Sequence, residues 1–525
     1  MMLQVSEAKK VRQTQVSRGS MAAILTRTLL IGLGLCAAPF GTRDARAYQA
    51  EIDATLDAQF YSLQSPYGSP LVQRRRYTQT LALNLYDIQS DRKPLGAALA
   101  FKSRLRLDSD FGQRPEERNP DSASYIPGLV EAPIDIMYAY LEGQRYLDGY
   151  LGFRLGRQYV VDTLGFWSFD GADFLLTTPA YIAIEAYAGF EQRGGLPMLS
   201  TSRFEAGGVS RGERSGLGFG QSPSFLQESK LAPAYGFAIE STGVHFLHSR
   251  FTYRKVINRD AVLVSPFLDN GGGLTYSLGD RTSSERLGYS LRADKSDLGA
   301  AMGSVVYDLY NQRVSQYNLG LDWYTTDRIV FGGNLEYFLP TFDGDSIFNW
   351  FAHRGTTSAT GRADIAFSRK FEIAASGGVR MFSTEGDTGT YASSASPNLN
   401  QSSHSYDYLG ALGGRYRFWD GSLALNTMAE SGDAGHRYGG DLTGRKQFDG
   451  GYYDSLAVVS LYDWEDALRS DRSATSFSYV LGGGISPNFM EFSRGRLGVE
   501  WEHTMNHLVG QRYRMLATLS FSVLR

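Results

Sequence analysis

A period of two in hydrophobicity constrains this chain more than any other feature. From Glu51 to Phe60, Ile52, Ala54, Leu56, Ala58 and Phe60 fall on one side and Glu51, Asp53, Thr55, Asp57 and Gln59 on the other. Residues 98–108 repeat the pattern, with Leu99, Phe101, Leu105 and Leu107 against Lys102, Arg104, Arg106 and Asp108. Successive Cβ atoms of a strand point to opposite faces, so the pattern dictates strands with one apolar and one charged face. Two architectures use such strands. In a sandwich the charged face meets water and the apolar face meets a second sheet. In a membrane barrel the apolar face meets lipid and the charged face lines a wet lumen.

The amino terminus and the composition favour the barrel. An apolar stretch over 22–38 is preceded or interrupted by Lys9, Lys10, Arg12, Arg18 and Arg27 and followed by Ala45-Arg46-Ala47. That is the anatomy of a cleavable secretory signal peptide over 1–47, with Met1 or Met21 as the start. Its apolar run is too short for a spanning helix, which needs ~20 residues. The single cysteine, Cys36, lies in this leader, so residues 48–525 have neither a disulfide framework nor a thiolate metal site. The leader holds seven of the 52 Lys and Arg but only two of the 55 Asp and Glu. The remainder is acidic, which argues against a nucleic-acid-binding surface. The chain has 59 Gly, 32 Tyr and 30 Phe against 16 Pro, which suits strands, tight turns and aromatic girdles. An exported chain without a spanning helix crosses a membrane only as a closed sheet, which leaves no backbone edge in lipid.

The expectation is therefore a single all-β transmembrane antiparallel barrel over 48–525, with an even strand number of about 18–22. Strand candidates run from 50–62 to 511–523 and cluster near ~10 residues, the length that crosses a bilayer at a tilt. The candidates include 148–160, 170–178, 244–257 and 285–294. Short connections (144–148, 178–180, 242–243, 295–297, 325–327, around 370, 419–420, 449–451) alternate with longer ones (109–131, 191–232, 258–284, 340–357, 384–403, 464–473). Short periplasmic turns and long outer loops give that parity, and only 310–313 and 485–494 break it. Trp323 and Trp419 sit beside short turns, as an interfacial girdle requires. Tyr513, Met515, Leu519, Phe521 and Val523 give the last strand an apolar face, although the final residue is Arg525 rather than an aromatic.

Motifs for chemistry are sparse. His503 and His507 lack the helical zincin context, and all seven histidines read as lumen or loop residues. No Gly-x-Ser-x-Gly elbow is present, and Gly218-Phe219-Gly220-Gln221-Ser222 does not make one. The chain is read as a non-enzyme with no cofactor and no metal. The glycine-rich stretch 210–220 lacks the ending of a phosphate loop. It lies in the longest connection, from which Arg193, Arg203, Arg211 and Arg214 could narrow a pore if folded inward. The stronger clue is the lumen face. Lys102, Arg104 and Arg106 form a basic ladder, Arg154 shares a polar face with Gly152 and Gly156, and Glu51, Asp53 and Asp57 supply carboxylates. Basic rings select anions, whereas mutual neutralisation would make the same residues structural.

Leu155-Gly156-Arg157-Gln158 followed by Phe169-Asp170-Gly171 resembles a strand-loop-strand segment of alginate-export-type and related porin-like outer-membrane barrels. Pro340 to Asn349 is similar to a segment of barrel proteins from predatory and gliding soil bacteria. The resemblance implies a channel in a Gram-negative outer membrane, passing polar or anionic solutes and including polysaccharide export. It implies Arg157 and Asp170 as lumen residues near a constriction. The partners implied are outer-membrane lipid, a polar or saccharide permeant, the barrel-insertion machinery and periplasmic export proteins. A structural or adhesive barrel of an envelope or motility complex is the alternative, and a barrel hydrolase the third class.

Overall fold

The computed structural model describes residues 49–64, 70–89, 96–110, 134–192, 232–241, 243–268, 274–341, 355–383, 404–433, 435–466, 469–487, 493–508 and 510–524. The expected signal peptide, the loop arginines Arg193, Arg203, Arg211 and Arg214, and most of 340–357 and 384–403 lie outside them. The first quarter of the barrel comprises β1 (Gln49–Gln64), β2 (Pro70–Tyr86), β3 (Ala98–Asp110), β4 (Ile134–Tyr146), β5 (Leu151–Asp162) and β6 (Gly165–Thr177). Then come β7 (Ile182–Glu191), β8 (Pro233–Ser241), β9 (Leu247–Leu268), β10 (Leu274–Lys295) and β11 (Gly299–Asp308). The second half holds β12 (Arg313–Thr326), β13 (Ile329–Phe338), β14 (Gly355–Ala366), β15 (Phe371–Ser383), β16 (His404–Phe418) and β17 (Gly421–Gly432). It ends with β18 (Gly435–Phe448), β19 (Tyr453–Asp466), β20 (Arg469–Ile485), β21 (Ser493–Asn506) and β22 (Gly510–Leu524).

Each strand pairs antiparallel with its successor, and β22 pairs with β1, so the 22-stranded sheet closes on itself. For 22 strands spaced ~4.8 Å and tilted ~40°, a round barrel has a backbone diameter of about 44 Å. The four longest connections, 111–133, 192–232, 339–354 and 384–403, all leave the end of the barrel opposite the termini. Two expected long loops prove to be strand. Residues 258–268 and 274–284 extend β9 and β10 as a protruding ribbon, and 464–473 is mostly the ends of β19 and β20. In the β9–β10 extension 261–264 is apolar at both parities and 279–284 is polar at both, so no alternation marks it.

Register sorts the side chains. Ile52, Ala54 and Leu56 lie opposite Val523, Phe521 and Leu519 on the outer face, with Asp53, Thr55 and Asp57 opposite Ser522, Ser520 and Thr518 within. On β16, Tyr408 and Phe418 bound the outer apolar band, and ten residues of tilted strand between them span about 25 Å, the height of a hydrocarbon belt. Trp323 packs near Phe331, Phe367 near Phe371, and Tyr416 near Phe418 at the terminus-side edge of that band. Lys446 also sits there, over the rings of Phe418 and Phe448, and donates to the Trp419 carbonyl at 2.6 Å. His503 departs from expectation. It belongs to the outer face, stacked 4.4 Å from Tyr513 and edge-on to Tyr479, because its register aligns it with those rings rather than with the lumen.

One part of the sheet leaves the wall. β5 pairs with β4 only as far as Arg157 opposite Ala139, although both strands continue beyond that point. Gly156, Gly171 and Gly189 form a lateral row at this level. A Cβ on Gly156 would meet the Ala139 carbonyl at 2.4 Å, and Gly156 adopts φ +127°, a left-handed conformation open to glycine. On Gly171 a Cβ would meet the Ala188 carbonyl at 2.2 Å. Above this row the β5–β6 tip crosses the inner face of the barrel. Thr163 and Leu164 reach Gly288 on β10, where a Cβ would stand 3.2 Å and 2.9 Å from their side chains.

Candidate functional site

The inward tip has two faces. Val160, Trp167 and Phe169 pack against Tyr187, Ala234 and Val256 of the wall and are buried there, with Trp167 stacked on Phe169 at 4.4 Å. Burying each such side chain contributes ~1.5–3 kcal/mol. Arg254 of β9 locks the turn. Its guanidinium donates to the Leu164 carbonyl at 3.1 Å, lies 3.9 Å from the Asp162 carboxylate and covers the Trp167 ring at 5.3 Å. Asp162 in turn accepts from the Leu164 backbone N–H at 2.8 Å. Buried Gln158 donates to the carbonyls of Arg154 and Gly171. The opposite face carries Tyr159, Val161 and Phe166, which remain exposed.

Below the tip, an ion network crosses the wall from β5 to β9. Arg154 donates to Asp173, at 2.9 Å through Nε, and to Glu185 at 3.4 Å, while Arg250 donates to Glu185 and to Glu240 at 2.9 Å. Lys102, Arg104 and Arg106 lie on one face of β3, and two of these three cations are paired. Lys102 pairs with Glu142 at 2.6 Å, and Arg106 with Asp135 at 2.8 Å. Arg104, registered opposite Tyr138, has no ion pair among the described residues. Glu51 accepts from Asn84 at 3.1 Å and Tyr86 at 2.7 Å, and Asp53 and Asp57 share its face. Arg157 grips Asp170 with two hydrogen bonds, at 2.7 and 2.8 Å, and donates to the Ile136 carbonyl at 3.1 Å. This pair sits at the base of the tip, where it occupies the place of the ladder bonds that β4 loses when β5 departs.

The expected strand ends at 160 and 170 are thus corrected. β5 and β6 run to Asp162 and from Gly165, joined by a two-residue turn. Sequence reasoning passed over Arg254, Asp162, Trp167 and the Tyr138–Tyr140 pair. A signal existed, because residues 159–169 are apolar at both parities. A sheet covered on both faces needs such a run.

No protein-family model matches the sequence, and no curated protein matches it. Among solved structures, the chain is similar to Acinetobacter baumannii OccAB2, with a TM-score of 0.41 and 6% identity over 90% of this chain and 98% of that one. Pseudomonas aeruginosa OccK9 (OpdG) gives 0.42 and 10% over 91% and 98%. Pseudomonas aeruginosa OpdK, solved with vanillate, gives 0.39 and 8% over 91% and 99%. At such scores the function of this chain has to be sought in its own geometry.

Proposed function

We propose that this chain is a channel of a Gram-negative outer membrane, passing polar solutes with a mild preference for anions. One observation carries the reading. A closed barrel has an aromatic-banded apolar exterior and a charged interior, and its bore is partly occupied by its own hairpin. Such an exterior is stable only against hydrocarbon, and such an interior only against water. Because Lys102 and Arg106 are matched by Glu142 and Asp135, the ladder has little net charge. Arg104 supplies the anion bias. Diffusion of small solutes and passage of a polysaccharide are the two forms such a channel can take.

Reconstitution into planar bilayers tests this. Steady KCl conductance with a reversal potential displaced modestly toward chloride is the expected result, and liposome flux of solutes of graded size separates the two forms. A folded, membrane-inserted protein without conductance would refute the channel and leave a structural or adhesive barrel.

A further inference from the structure

A wet lumen is ordinarily walled by polar side chains, yet four rings run unbroken along part of this one. Phe166 lies 5.6 Å from Tyr159, Tyr159 5.9 Å from Tyr138, and Tyr138 5.8 Å from Tyr140. The run starts on the inward tip and continues onto the inner face of β4. Phe166 is 44% exposed, Tyr159 38% and their neighbour Val161 69%. Packing does not account for them, since the tip is anchored by its other face through Val160, Trp167 and Phe169. Apolar surface held in water is unfavourable, and an exposed patch of this kind marks a binding surface.

The chemistry beside the rings narrows the ligand. Tyr138, Tyr140 and Tyr159 bring hydroxyls that both donate and accept. Arg104, directly across from Tyr138, brings a guanidinium without an ion pair among the described residues. The rings at Tyr138 are tilted 49° and 59° to their neighbours, so they form an open stepped surface rather than a parallel-walled slot. A flat aromatic solute prefers two facing walls. A pyranose ring has an apolar C–H face to lay on one ring and a rim of hydroxyls to turn toward Arg and Tyr.

We propose that Phe166, Tyr159, Tyr138 and Tyr140 form a binding path for oligosaccharides, with sugar faces on the rings and hydroxyl edges toward Arg104. The path rests on the channel reading above. In planar bilayers carrying KCl, maltohexaose is expected to block the current transiently and in proportion to its concentration. Tyr159→Ala and Phe166→Ala should each weaken the block roughly 2- to 12-fold, the worth of one aromatic contact. Tyr159→Leu keeps apolar bulk without a ring and should show the same loss. Tyr408→Leu, on the outer face, should block like the parent. Block by benzoate but not by maltohexaose overturns the path, as does maltohexaose block that ignores all three ring substitutions. Conductance without block overturns the path alone, whereas no conductance overturns the channel and the path together.

Discussion

Arg254→Met should unseat the inward hairpin. The side chain is 5% exposed and the Asp162 side chain that it faces is fully buried. At 3.9 Å and an effective dielectric of about 20, their attraction is about 4 kcal/mol. The hydrogen bond to the Leu164 carbonyl adds ~1.5–3 kcal/mol, and the contact with the Trp167 ring ~0.5–2. Desolvation of the guanidinium opposes these by several kcal/mol, and the measured cost of removing one partner of a buried pair is ~3–5 kcal/mol. That shifts the balance between seated and released tip by roughly two to four powers of ten. Single-channel recording should show a larger and noisier conductance in a barrel that still folds. Asp162→Asn in the same chain removes the stranded charge while keeping the acceptor for the Leu164 N–H, so the double variant should be quieter than the single one. A folded Arg254→Met channel with parental conductance and noise would refute the lock.

Three further outcomes follow from the same geometry. Gly171→Val places carbon 2.2 Å from the Ala188 carbonyl and 2.7 Å from the Gly189 Cα, neither of which can yield, so the urea midpoint should fall by the equivalent of ~1–3 kcal/mol or more; an unchanged midpoint would remove the glycine row as a bend. Arg104→Gln should move the reversal potential toward cations, while the charge-neutral pair Lys102→Gln with Glu142→Gln should leave it in place; equal displacement by both would contradict the Lys102–Glu142 pairing. Lys446→Ala should lower the temperature of heat-modified gel mobility by the equivalent of ~0.5–1 kcal/mol, the value of its exposed ring contacts. Full retention of that temperature would discount the contacts.

The wall was legible in the sequence because lipid on one side and water on the other force alternation. Ile52 against Asp53, or Leu105 against Arg104, assigns a face from residue type alone. In the β9–β10 ribbon the alternating code lapses, with 261–264 apolar and 279–284 polar at both parities, and 258–284 reads as loop. Where protein covers both sides, as at Val160, Trp167 and Phe169, the code fails in the other direction and the strands seem to end early. The ladder was visible as three cations on one face, and its neutralisation as one of two readings, but the neutralising partners were not. Glu142 and Asp135 come from β4, and the register that sets Asp135 opposite Arg106 depends on a shift between Arg104 and Leu105 that no local pattern announces. His503 misled for a similar reason, since a histidine on a lipid-side face is exceptional and needs its stacked tyrosines to be credible.

The seam between β1 and β22 has its own consequence. Every other pairing joins neighbours in the chain, whereas this one joins residues from opposite ends, from Glu51 with Leu524 to Gln64 with Gln511. Contacts so distant in sequence form late and slowly. Until they form, two strand edges remain ready to pair with any other chain. Assembly is therefore decided at its last step. A chain lacking β1 or β22 would have no partner for the other strand of this seam and would keep an open edge instead of closing.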